Sequence, residues 1–341
     1  MQKKNAFEKF APAILKVYHR DKEAFWAAVM APFLAKEVSL LDWWGHLKVD
    51  LDLLSAFRGL DQDAQRTLRE FSAPWGFDLT KWKSNRSQYF KDAYPVFAFL
   101  AVWMDEEGLN DYIANFDCIL EAGVFAVAGY GILDENVDSD QPGPVEILTA
   151  QALIAEYEKR ALDVFGISKA NLEILHKMRT LFLEAEIKEK FMRHKGSPYR
   201  LDRPQDLGAK GANAVSPFML SLERLGKADQ IDAYWEVFLL FGAAIQMIDD
   251  WQDLEGDLAA GHYSFVTLGH ETMLVGSSPG EIARQLKADK DHVAKTYALS
   301  REMINKSREI LAGLGDHYLV RLVDVTELRL ENYFRKVLRV V

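Results

Sequence analysis

Apolar positions recur along almost the whole chain at helical spacing. The stretches "AFWAAVMAPFLAKEV", "EILTAQALIAEYEKRALDVFG", "KANLEILHKMRTLFLEAEIKEKFMR" and "ELRLENYFRKVLRVV" repeat with a period near 3.6 residues, and each predicts an amphipathic helix. Strand signals are nearly missing: there is no long period-two stretch and no Asn-Gly or Asp-Gly turn between β-branched runs. Breaks are expected near Pro74, Pro95, "DSDQPGP" (138–144), "KGSPYRLDRPQDLGAKG" (195–211) and "GSSPGE" (276–281). Pro144 suits a helix start and Gly166 the position just past a helix end. The pattern predicts about a dozen helices, no sheet and no repeat, hence one all-α domain over residues 1–341.

Two segments lack a polar face, "FDCILEAGVFAVAGYGIL" (116–133) and "YWEVFLLFGAAIQMI" (234–248). A helix apolar nearly all round belongs at the centre of a large bundle. Each of these runs into acids, the first into "LDENVDSD" (133–140) and the second into "IDDWQDLEGD" (248–257). Residues four apart on a helix share a face. Asp249, Asp253 and Asp257 are so spaced, with Asp250 beside the first; Asp134 and Asp138 repeat the spacing, with Glu135 alongside.

One such cluster alone reads as a solvated helix end. Two of them, each at a C-terminus where carboxylates oppose the helix dipole, point to a bound cation. Magnesium prefers oxygen ligands and bridges carboxylates to substrate phosphates. The apolar helices below would accept the other end of the same ligand, so an anionic phosphate head with a long apolar tail fits both halves. "DDWQDLEGDLAAG" lacks the alternating oxygens and terminal Glu of an EF-hand, and no Glu-x-x-His pair of a di-iron bundle lies on these helices.

Composition narrows the partners. With 49% hydrophobic and 12% aromatic residues the chain can build a large core. A formal net charge of −10 argues against a general nucleic-acid binder. The lone cysteine, Cys118, fits a reducing compartment. The N-terminal stretch is interrupted by charges every few residues, unlike a signal peptide, and "VFAFLAVWM" (96–104) is far shorter than the roughly 20 residues of a bilayer span. A cytoplasmic protein without a transmembrane segment is expected.

"QMIDDWQDLEGDLAAGHYSFVTLG" resembles the second aspartate-rich motif of the class I isoprenoid synthases, and its Asp253, Asp257 and Gly261 are equally similar to squalene and phytoene synthases. "LDENVDSD" resembles the first motif, with Glu135 where polyprenyl diphosphate synthases carry an Asp. The resemblance implies a single helical bundle around a central apolar cavity, and possible assembly as a homodimer. It also implies Mg²⁺ held by Asp134, Glu135 and Asp138 on one wall and by Asp249, Asp250 and Asp253 on the other, with Asp257 less directly involved. The carboxylates would act as the catalytic set. Gln246 would lie one turn below, Tyr130 would line the cavity above the small Gly123 and Ala126, and basic residues would complete the diphosphate site. For the last role Lys210 and Arg200 stand beside Arg193 and Lys195 as candidates, while His262 reads as a loop residue.

The departures from the family bear on the reaction. The isopentenyl-binding Gly-Gly-Lys…Arg segment and the Arg-Arg after the first motif of chain-elongating synthases are missing, as is the Asn-Ser-Glu triad of typical terpene cyclases. The expected activity is ionisation of a linear prenyl diphosphate by an atypical terpene synthase or cyclase. Head-to-head condensation, chain elongation and a non-catalytic relative are the alternatives.

Overall fold

The computed structural model describes residues 6–27, 59–76, 78–79, 87–138, 143–270, 277–336 and 339, and no strand occurs among them. The helices of the first compact unit are α1 (Ala6–Arg20), α2 (Leu60–Ser72), α3 (Ser87–Glu106), α4 (Asn110–Ala114), α5 (Phe116–Asp138) and α6 (Pro144–Phe165). Helix α7 (Lys169–Met192) begins in that unit and passes at His176 into the second. The second unit then holds a 3-10 segment (Pro204–Gly211), α9 (Ile231–Ala260), α10 (Pro279–Ala288), α11 (Lys290–Leu314) and α12 (His317–Lys336). The short α8 (Ser216–Ser221) lies across the division.

In the first unit α5 is the central element, packed against α1, α2, α3 and α6. At Gly129 it lies close against α6, where an added Cβ would come within 2.8 Å of the Ile154 side chain and 3.2 Å of the Ala150 carbonyl. The sequence reading takes Gly123 as open space beneath Tyr130. The structure corrects this, because a Cβ at Gly123 would run into the Phe97 ring. The break expected at Pro95 is also absent: α3 continues through it. Proline removes one backbone donor, but Phe97 to Met104 are all buried, and packing of that length sustains the helix across one lost bond.

In the second unit the 30-residue α9 is the axis, touching the 3-10 segment, α10, α11 and α12. Ile248, Trp251 and Leu254 of α9 pack with Val266, Leu286, Val293, Leu330 and Phe334 into one core cluster. Gly208 of the 3-10 segment lies on the α9 backbone opposite Gly242, so that an added Cβ at Gly208 would strike the Leu239 carbonyl.

Two stretches, Phe116–Val137 and Ala228–Ala260, are long and apolar enough to cross a membrane, although no uninterrupted apolar run suggests a span. Their most apolar windows are 72% and 50% buried inside the protein, as core helices are. The burial explains the composition.

Candidate functional site

Helix α9 spreads its acids over an arc of about a hundred degrees, with Asp249 and Asp250 at the two edges and Gln246, Asp253 and Asp257 between them. Asp250 is only 5% exposed. The Phe265 N–H donates to its Oδ2 at 3.0 Å, and the Gln246 amide donates to its Oδ1 at 3.3 Å. Burial pushes the carboxyl up to about 8; Glu189 and Asp257 add to the rise, and the two hydrogen bonds oppose it. Asp250 is therefore largely protonated at neutral pH when nothing positive is bound beside it.

Helix α7 brings two further carboxylates to this side. Glu186 is 1% exposed, and Glu189 accepts hydrogen bonds from Tyr199 O–H and, at 2.7 Å, from Lys210 Nζ. The Lys210 ammonium is also 3.8 Å from Glu186. Lys210 is thus a partly buried ion-paired group, not the solvated loop lysine that glycine neighbours suggest. Burial, with Glu189 adding to it, holds the Tyr199 hydroxyl well above its ordinary range, so it stays a donor. Burial, reinforced by Arg193, pushes His262 below its ordinary value and leaves it neutral at pH 7.

At the other edge of this arc Asp249 pairs at 3.2 Å with Arg329, whose side chain is 7% exposed. Asp253 is exposed. Burial raises the Tyr333 hydroxyl, with Asp253 and Asp249 contributing.

The remaining predicted residues are placed as follows. Arg200 is mostly exposed, with its guanidinium fork closed on Asp202 at 2.9 and 2.6 Å. Arg193 donates to the Ala260 carbonyl and Lys195 to the Phe191 carbonyl. In the first unit Tyr130 is 2% exposed, and Asp134 and Glu135 are half-buried one turn further along α5. Asp138 is the last residue of that helix, and its side chain lies outside the described residues. Buried Asn136, between these acids, donates to Ile132 and accepts from the Gly143 N–H, which ties the end of α5 to the start of α6.

The polar groups around Asp250 fit a hard divalent cation in kind. Asp250, Asp257, Glu189 and the Gln246 amide offer oxygen donors, and a cation would favour the ionised form of Asp250 that burial disfavours. The Ser264 hydroxyl, in the residue preceding Phe265, is buried and has no hydrogen-bond partner among the described residues. No three carboxylate, imidazole or thiol groups are gathered at metal-binding distance among the described residues.

The sequence reading missed Glu186, Glu189, Tyr199, Ser264 and Arg329. Two of them leave a signal. The buried stripe of α7 runs Asn171, Ile174, Leu175, Met178, Phe182, Ala185, and Glu186 and Glu189 continue it. Acids on an apolar stripe are costly unless partnered.

The end of α9 is fixed by a left-handed turn. Gly261 has φ +77°, with the Gly261 N–H bonded to the Leu258 carbonyl and the His262 N–H to the Asp257 carbonyl. That is the Schellman pattern, and it sets the course of the loop that reaches Asp250. A Cβ at Gly261 would also collide with the His194 ring. Gly261→Ala is expected to lower stability by about 2 kcal/mol from the strained φ plus the displaced ring. Gly269→Ala, at φ +79° with nothing within 4 Å, should cost only the strain. Urea unfolding of both variants separates the two contributions; equal losses would remove His194 from the account.

No family model matches the sequence, and no curated protein matches it. Among solved structures the chain is similar to a geranylgeranyl pyrophosphate synthetase from the archaeon Geoglobus acetivorans. The TM-score is 0.51 at 17% identity, over 79% of this chain and 98% of that one. The likeness is one of architecture, and with the helical, strand-free content of the described residues it gives this chain the all-α isoprenoid synthase fold.

Proposed function

We propose that this protein is a Mg²⁺-dependent enzyme that ionises a linear prenyl diphosphate and releases pyrophosphate, in the manner of a terpene synthase. The observation that carries the reading is Asp250: a buried carboxyl among further acids, inside "QMIDDWQDLEGD", on the axial helix of a unit within an isoprenoid synthase fold. The proposed ligands are Asp249, Asp250, Asp253 and Asp257 on α9, and Asp134, Glu135 and Asp138 on α5. Magnesium bound there would neutralise the charge of the departing diphosphate.

The chain's own groups have the complementary tasks. Lys210 and Arg329 are cations set among the carboxylates, and in this reading they exchange Glu189 and Asp249 for diphosphate oxygens. Such an exchange keeps each cation paired at every stage, which limits its desolvation cost. Gln246 and the Phe265 N–H orient the Asp250 carboxyl by holding both of its oxygens. Tyr130, below Asp134 on α5, is the proposed contact for the apolar end of the substrate.

Chain elongation is the second reading, favoured by the fold likeness to a geranylgeranyl pyrophosphate synthetase. It requires a separate basic pocket for a second diphosphate. The candidates Arg193, Lys195 and Arg200 instead hold Ala260, Phe191 and Asp202. The deciding experiment supplies farnesyl or geranylgeranyl diphosphate with Mg²⁺, with and without labelled isopentenyl diphosphate. Unlabelled hydrocarbon or alcohol plus pyrophosphate is expected. Label in a longer diphosphate would establish elongation, and a dimeric hydrocarbon without label would establish head-to-head condensation. If pyrophosphate and Mg²⁺ together fail to raise the melting temperature and no product forms, the protein is a non-catalytic member of the fold.

A further inference from the structure

The C-terminal turns of α7 combine two features that the carboxylate site does not use. Ile187 and Phe191, one turn apart on the same face, are 61% and 71% exposed, although both are large and apolar. They stand inside "IKEKFMRHK" (187–195), which carries four cations, Lys188, Lys190, Arg193 and Lys195, and one acid. That acid, Glu189, is turned inward onto Tyr199 and Lys210, so it does not offset the cations at the surface. In a chain of net charge −10 this is a marked local reversal. The bond from Tyr199 to Glu189 also returns the following loop to α7, and two residues beyond Tyr199 a third large apolar side chain, Leu201, is 67% exposed.

We propose that this tip of α7, with Ile187 and Phe191 as anchors and Leu201 as a flanking contact, docks on the surface of an anionic lipid bilayer. Charge complementarity selects the occupant. Exposed apolar side chains ringed by Lys and Arg insert at the headgroup boundary while the cations meet anionic headgroups. Lys195 Nζ lies 4.6 Å from the centre of the Phe191 ring, so cation and anchor share one spot. The attachment is firm on the protein side. Arg193 donates to the Ala260 carbonyl and the His194 N–H to the Gly261 carbonyl, which fastens this tip to the end of α9. Docking by this surface does not depend on the reaction proposed above, since neither anchor belongs to the carboxylate site.

The test is flotation of the full-length protein with vesicles, without substrate or metal. Vesicles of equimolar phosphatidylserine and phosphatidylcholine are expected to carry the protein, and phosphatidylcholine alone to carry much less. The double variant I187S/F191S should lower the partition coefficient about tenfold or more, the scale of withdrawing two apolar side chains from a bilayer. K188Q/K195Q should weaken binding to the anionic vesicles and flatten its salt dependence. Both pairs are exposed, so thermal melting of each variant should match the parent. Absence of vesicle binding by the parent would overturn the proposal. So would equal binding to both vesicle types, or serine variants that bind as well as the parent.

Discussion

Gly208→Ala is expected to be among the most damaging single-methyl additions this chain can receive. The added Cβ would collide with the Leu239 carbonyl and lie 2.9 Å from the Ala243 nitrogen, both backbone atoms of α9. A backbone cannot rotate away as a side chain can, so the 3-10 segment must lift from the helix. Overpacking of this kind costs about 3 kcal/mol. Gly211→Ala, three residues on in the same segment, meets nothing within 4 Å and should be neutral or slightly stabilising. Lys210 rides on this segment, so lifting it would also pull the ammonium from Glu189. Unfolding free energies of the two variants from urea titration should differ by nearly the whole of about 3 kcal/mol; similar values would mean the two elements are not in backbone contact.

This crossing shows where the sequence stops being informative. Helical period, apolar centre and helix ends are local properties, which is why α5, α6 and α9, Pro144 and Gly166 are legible from spacing alone. "DLGAKG" reads only as a break, because nothing within it states that Gly208 must meet Gly242. Pro95 fails in the opposite sense: a local breaker is overridden by the burial of the residues after it.

The candidate site divides along the same line. The acids of α9 are visible as a cluster, but their partners come from far along the chain. Arg329 lies 80 residues beyond Asp249, and Glu189 lies on another helix. Spacing puts Asp249, Asp253 and Asp257 on one face. The helix presents Asp249 toward α12 and turns Asp250 toward α7, a distinction of about a hundred degrees that depends on which neighbours are there.

Asp250 carries the other large expected effect. Its carboxyl titrates near 3.8 in an unfolded chain and at about 8 in the folded one. The folded state therefore holds the extra proton between those values, and stability falls as pH rises through that window, levelling off above about 8. Below the unfolded value both states are protonated and nothing is lost. At pH 7 the burial cost is on the order of 4 kcal/mol. Asp250→Asn keeps the shape and the acceptor for the Phe265 N–H, so it should abolish that slope and leave the protein more stable at neutral pH. Turnover should move the other way. If Asp250 ionises to hold a cation, the amide cannot replace it, and a loss of about a thousandfold or more is expected while Mg²⁺ with pyrophosphate no longer stabilises the fold. Proton release on adding Mg²⁺ and pyrophosphate to the parent, and its absence in the variant, is the most direct readout. A variant that keeps both its pH slope and its turnover would show that Asp250 is structural and that the cation-binding groups lie elsewhere.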